Sequence, residues 1–172
     1  MNIFFLDENP KIAFSLLEGH EKLQRKMITE SFQMLSTVIR TKLDIQHEEL
    51  MKCFNPKHPS NKWLMASWKN FEWLLEYTEF GFHSMYKNSV KENSSSLVRY
   101  PALLKICREL IPFHNDCLTP PYLAMDNSIQ IKYSTLEDKV YVAKSFKDAI
   151  EAYSEYMKTK PYVQHLLHFN DL

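Results

Sequence analysis

Only two glycines, Gly19 and Gly81, stand in a chain of 172 residues. Glycine supplies the positive φ of tight turns and lets backbone close on a phosphate. A chain this poor in it has little means of building many-turned β architectures, dinucleotide-binding loops or P-loops. With so few glycines to make tight turns, a helical fold is favoured. At 45% hydrophobic and 24% charged, the chain has a globular composition that rules out disorder and collagen-like order. Its length suits a single domain with a sizeable core. The expectation is one all-α domain over 1–172, compact and helical, with room for a small β-hairpin near 129–142.

Charge and cysteine content narrow the setting. Twenty-one Lys and Arg balance twenty-one Asp and Glu, which counts against a protein held to DNA or anionic lipid by overall charge, though not against a local basic patch. The early apolar run Ile3–Leu6 is too short for a signal segment and meets Asp7 and Glu8 at once. No stretch approaches the roughly eighteen apolar residues that span a bilayer. Cys53, Cys107 and Cys117 form no CxxC pair and are odd in number, so the chain reads as cytoplasmic and free of disulfides, with no membrane partner.

Helical periodicity organises the chain. Asn9-Pro10 reads as a capped helix start. From Glu21 to Lys42, Leu23, Met27, Ile28, Phe32, Leu35, Val38 and Ile39 recur at helical spacing opposite Lys22, Lys26, Glu30, Gln33 and Thr37. Asp44 is placed to cap a short helix ending near Phe54, before a loop containing Pro56 and Pro59. A long helix is predicted from Asn61 to about Lys87, near the centre of the fold because its apolar face is wide. The polar stretch from Lys91 to Ser96 reads as a loop, Pro101 to Leu110 as a helix with proline in its first turn, and 111–127 as irregular. Alternation of Ile129, Ile131 and Tyr133, then Val140 and Val142, predicts the hairpin. Phe146–Lys158 and Tyr162–His168 complete the helices.

Three groups of residues could carry chemistry. Between Lys52 and Lys69 lie Lys57, Lys62, His58, Trp63 and Trp68 but no acidic residue. Lysines interleaved with flat rings suit phosphates and unstacked bases, while the competing reading buries the tryptophans in the core. Glu72, Glu76, Glu79 and His83 have spacings that a metal could use, but no second Glu-x-x-His helix accompanies them, and a solvated helix face is the simpler reading. No metal or cofactor is therefore assigned. Glu30 sits one turn after Lys26 on a polar helix face, where the bland reading is a surface pair worth a few tenths of a kcal/mol.

Together these stretches resemble a known family. Met1-Asn2-Ile3-Phe4-Phe5-Leu6-Asp7, Lys26-Met27-Ile28-Thr29-Glu30 running into Gln33-Met34-Leu35-Ser36-Thr37, His58-Pro59 with Trp63, Asn70 with Trp73-Leu74, Pro120-Pro121, and Tyr153 with Tyr156 are similar to phage-encoded pyrimidine-dimer DNA glycosylases of the endonuclease V type. The resemblance implies a compact helical protein of the infected host cell that flips a nucleotide, attacks the sugar with its N-terminal amine, assists with a helical glutamate and cleaves the strand by β-elimination. It would make Glu30 the catalytic carboxylate, with the amine of Met1, or of Asn2 after Met1 is removed, as nucleophile. Lys26, Lys57, His58, Lys62, Trp63, Lys69 and Asn70 would contact DNA.

The chain departs from the family's usual pattern at three places. Glu21-Lys22-Leu23 lacks the family's histidine, Ser60 follows His58-Pro59 where a cysteine is usual, and Ser154 follows Tyr153 where an arginine is common. A non-catalytic binder of a nucleotide, nucleic acid or host protein on the same scaffold therefore stands beside the enzyme. So does a transferase acting on hypermodified thymine.

Overall fold

The computed structural model describes residues 3–86, 95–112 and 114–160. Seven helices and one small antiparallel sheet make up the described part: α1 (Pro10–Ser15), α2 (Glu21–Lys42), α3 (Pro59–Ala66), α4 (Trp68–Tyr86), α5 (Ser95–Leu110), β1 (Tyr122–Leu123), α6 (Asn127–Tyr133), β2 (Ser134–Glu137), β3 (Val140–Ala143) and α7 (Phe146–Lys158). The fold is mostly helical, with the hairpin β2–β3 extended by β1 into the order β1-β3-β2. Its helical centre is α4, which packs on α1, α2, α3 and α5.

The apolar lead-in is threaded through the core. Ile3, Phe4, Phe5 and Leu6 are all buried. The Phe5 ring stacks on Trp73 at 4.7 Å and on Phe146 at 5.9 Å, and meets Trp63 edge-on at 6.0 Å. One extended segment thus ties α3, α4 and α7 together, and burial of a phenylalanine alone stabilises by about 1.5–3 kcal/mol. Asn9 caps α1 through its side chain, as expected, with Pro10 in the first turn.

Four sequence expectations need correction. The long helix from Asn61 to Lys87 is broken at Ser67, whose backbone is extended. The break has no glycine or proline to announce it. Its cause is capping from afar: Asp116 accepts the Trp68 amide at 2.6 Å, while Ser67 Oγ accepts the Lys69 amide and donates to the Cys117 carbonyl. No helix forms between Asp44 and Phe54. Asp44 adopts a φ of 53°, and Arg40 holds the segment as a loop by donating to the carbonyls of His47, Leu50 and Met51 and to Gln46 Oε1.

The third correction concerns α5, which begins at Ser95 and carries Pro101 within it. Ser95 and Ser96 therefore belong to the helix rather than to the predicted loop, whose residues 91–94 lie outside the described part. The fourth concerns residues 129–133, which form α6 instead of a strand. Ile129 and Tyr133 are buried one turn apart while Ile131 points to solvent, so the apparent alternation was half of a helical repeat. The hairpin starts at Ser134, with Glu137 opposite Val140 and a two-residue turn at Asp138 and Lys139, both at positive φ. The predicted helix Tyr162–His168 lies outside the described residues.

Candidate functional site

The polar face of α2 is partly roofed. Thr37 is fully buried: its hydroxyl donates to the Gln33 carbonyl at 2.7 Å and accepts the Phe54 amide at 3.0 Å. Ser36 accepts the Met51 amide in the same way. The loop after α2 therefore crosses that helix near its C-terminal half and leaves the preceding turns less covered. Glu30 lies seven residues before Thr37, about 10 Å along the axis at 1.5 Å per residue. Its side chain is 19% exposed, with Lys26 Nζ 4.0 Å away. The sheltered carboxylate can act on a reacting group that enters beside it, while the more exposed Lys26 supplies a cation at its edge.

The loop leads directly to His58. Asn55, at a φ of 42°, and Phe54 both give their carbonyls to the buried amide of Asn61, at 2.8 and 3.0 Å. This turns the chain into α3, which His58 caps by accepting the Ser60 amide at its Nδ1. Because Nδ1 is the acceptor, neutral His58 carries its proton on Nε2 and can donate from there. Burial holds its pKa below the usual histidine value, and the positive charge of the amino terminus adds to that shift.

A pH dependence follows with a definite sign. The unfolded chain binds the His58 proton at higher pH than the folded one, so the stabilising contribution is complete above about pH 6.5 and is lost as pH falls below it. The midpoint of urea denaturation should therefore decrease between pH 7.5 and 5.5. His58→Asn, which keeps a capping side chain, should flatten that slope. An unchanged slope in the variant would refute the assignment.

The residues expected to contact DNA divide into two sets. Lys26 and Lys57 are exposed and Lys62 and His58 half-buried, so their polar ends are accessible. Trp63 and Asn70 are not, which corrects their assignment to a contact surface. Trp63 is buried and its indole N–H donates to the Thr119 carbonyl. Asn70 is fully buried and bonded to Trp63 and Thr119. Trp68 is buried as well, beneath the Lys42 ammonium at 4.2 Å. The reading of both tryptophans as core is the correct one, since large rings bury most area there. Met1 and Asn2 lie outside the described residues.

Lys69 belongs elsewhere. It bonds to Glu72 at 2.8 Å on the face of α4, and that hydrogen bond raises its pKa. Glu72 also pairs with His114 Nε2 at 3.2 Å. Burial pushes the Glu72 carboxyl up, but the hydrogen bonds from Lys69 and His114 and their charges together hold it below the usual value. Glu79, read from its spacing as a possible metal ligand, pairs with Arg108. Among the described residues no three His, Cys, Asp or Glu side chains converge as a metal site. Sequence reasoning missed His114, because its partner lies 42 residues away. No local spacing signals such a contact.

What these elements define is a mostly helical protein with a sheltered carboxylate on α2 and, elsewhere, an imidazole–carboxylate pair joining Glu72 of α4 to His114 in the segment after α5. No protein-family model, curated protein or solved structure matches the chain. Among the described residues no helix is long and apolar enough to cross a membrane.

Proposed function

We propose that this protein is a DNA glycosylase with lyase activity on damaged or modified pyrimidines, with Glu30 as its catalytic carboxylate. The observation that carries the reading is the partial burial of Glu30 on the polar face of α2, together with the motif resemblance that assigns that position its role.

In this reading the unprotonated amine attacks C1′ of the deoxyribose. The bond from C1′ to the base nitrogen breaks, and the base leaves with that electron pair and takes up a proton. Glu30 accepts the proton released by the attacking nitrogen, and an imine forms between that nitrogen and C1′ as the sugar ring opens. Loss of a C2′ proton then expels the 3′ phosphate by β-elimination. Lys26, Lys57 and Lys62 neutralise phosphates, and the Nε2–H of His58 donates to one. Trp63, Lys69 and Asn70 take no part.

Borohydride trapping on duplex DNA containing a pyrimidine dimer or an abasic site tests the proposal, because it reduces the imine to a stable adduct. Wild type should form the adduct, and Glu30→Gln should slow its formation by about 100-fold or more, the usual scale for losing a general acid–base group. Lys57→Glu with Lys62→Glu should weaken DNA binding whatever the sequence, by about 1–2 kcal/mol. DNA binding without an adduct would favour the non-catalytic binder, and absence of both would remove DNA as the partner. The burial of both tryptophans leaves base stacking on Trp63 or Trp68 out of either reading.

A further inference from the structure

Phe54 is 49% exposed, on the loop that crosses α2. No other Phe, Tyr or Trp ring among the described residues stands so open to solvent. One exposed ring needs no explanation by itself. Its backbone, however, is held on both sides: the Phe54 amide donates to Thr37 Oγ1 at 3.0 Å, and its carbonyl accepts from Asn61 Nδ2 at 3.0 Å. Arg40 fixes the preceding residues through the carbonyls of His47, Leu50 and Met51. The ring is thus presented from a pinned segment, and a ligand that stacks on it meets little ordering cost.

The charges around the ring point to the ligand. No Asp or Glu occurs from Leu50 to Phe71. Lys52, two residues before Phe54 and so within about 7 Å along the backbone, is exposed, as is Lys57 three residues after it. Neither lysine makes an ion pair among the described residues. Arg40 bonds only to neutral oxygens, the three carbonyls and Gln46 Oε1, so no carboxylate matches its charge. A cleft of about 390 Å³ reaches Cys53, next to Phe54; its other walls are Arg40, Thr41, Gln46 and Lys52, with two cations and no acid. Asp44, Glu48 and Glu49, the acids of the same loop, do not line it. Unmatched cations beside an open flat ring suit a strand with unpaired bases, which offers phosphates to the charges and a base face to the ring. A closed duplex offers only the phosphates.

We propose that Phe54 is a stacking platform for an unpaired nucleotide of DNA. The phosphate on one side enters the cleft between Arg40 and Lys52, and Lys57 holds the phosphate on the other. Phe54 takes the role that the buried Trp63 and Trp68 cannot fill. Thr37, to which the Phe54 amide is bonded, lies on the polar face of α2 about 10 Å along the axis from Glu30, so the platform flanks that carboxylate. The proposal rests on DNA as the partner but not on the chemistry at Glu30.

Fluorescence anisotropy with a short labelled oligothymidylate tests it, against a propanediol-phosphate chain of the same length that carries the same charge and no bases. At low salt the oligothymidylate should bind about tenfold more tightly than the base-free chain, the scale of one stacked base. Phe54→Ala should remove that difference and leave binding of the base-free chain as it was. Lys52→Ala should weaken both ligands alike and reduce the slope of log affinity on log salt by about 0.7, one phosphate contact fewer on a single strand. Phe54→Trp should keep the preference, and the fluorescence it adds should be quenched by the oligothymidylate but not by the base-free chain. Equal binding of the two ligands, no binding of either, or oligothymidylate affinity unchanged in Phe54→Ala would each overturn the proposal. The glycosylase reading fails separately: binding that depends on Phe54 without a borohydride adduct would overturn the enzyme and support the platform. An adduct in wild type, with Phe54→Ala binding oligothymidylate as wild type does, would overturn the platform and support the enzyme.

Discussion

Replacing Asn70 by alanine should cost the protein about 3–5 kcal/mol, enough to unfold much of it near physiological temperature. Asn70 is wholly buried and bridges three partners: its amide group donates to the Trp63 carbonyl and to Thr119 Oγ1, each at 2.8 Å, and its oxygen accepts the Thr119 amide at 2.9 Å. The Trp63 carbonyl lies at the C-terminal end of α3, and Thr119 belongs to the segment that also receives the Trp63 indole. Truncation leaves those groups buried without partners, and each such group costs about 1–3 kcal/mol. Asn70→Asp keeps the acceptor and loses both donors, so it should destabilise as well. Urea denaturation monitored by tryptophan fluorescence measures both. If Asn70→Ala instead folded like wild type and lost only DNA affinity, the residue would belong to a binding surface after all.

Gly81→Val should destabilise by roughly 3 kcal/mol, at the upper end for an overpacked core site. A Cβ at this position would lie 2.3 to 2.7 Å from three carbons of the Phe14 ring. That ring is fully buried, with Tyr77 at 5.1 Å and Phe80 at 6.3 Å around it, so it has no free space to retreat into. Glycine costs about 1 kcal/mol of helix propensity against alanine in a helix interior, and here that cost permits α1 to approach α4. Shrinking the opposing ring should recover part of the loss: Gly81→Val combined with Phe14→Leu should be less destabilised than the sum of the single variants, by about 1–3 kcal/mol of coupling. Strict additivity in thermal or urea denaturation would show that the two side chains do not meet.

The reach of local sequence shows in particular residues. The core stripe of α2 was legible because Leu23, Met27, Ile28, Phe32, Leu35, Val38 and Ile39 recur at helical spacing, and all are buried. The α1 cap at Asn9 was legible for a similar reason, since it depends on a few adjacent residues. Glu30 could be singled out as a carboxylate on a polar face, but spacing alone could not show that Thr37 on that same face is roofed, because its partner Phe54 lies 17 residues away. The lysines near Trp63 were visible as charges. The burial of the rings between them was not.

What the sequence by itself determined is therefore the helical class, the apolar faces and most helix positions, since these follow from glycine scarcity and from periodicity within a few turns. Tertiary structure alone decided that α3 and α4 are separate helices, that Asn70 and Trp63 hold the fold, and that Glu72 meets His114. Each of these outcomes depends on a hydrogen bond or ring contact between residues far apart in the chain. Asp116 reaches Trp68 across 48 positions and Thr119 reaches Asn70 across 49. The energies of such contacts exceed the small local preferences that spacing reports, so they override them wherever the two disagree.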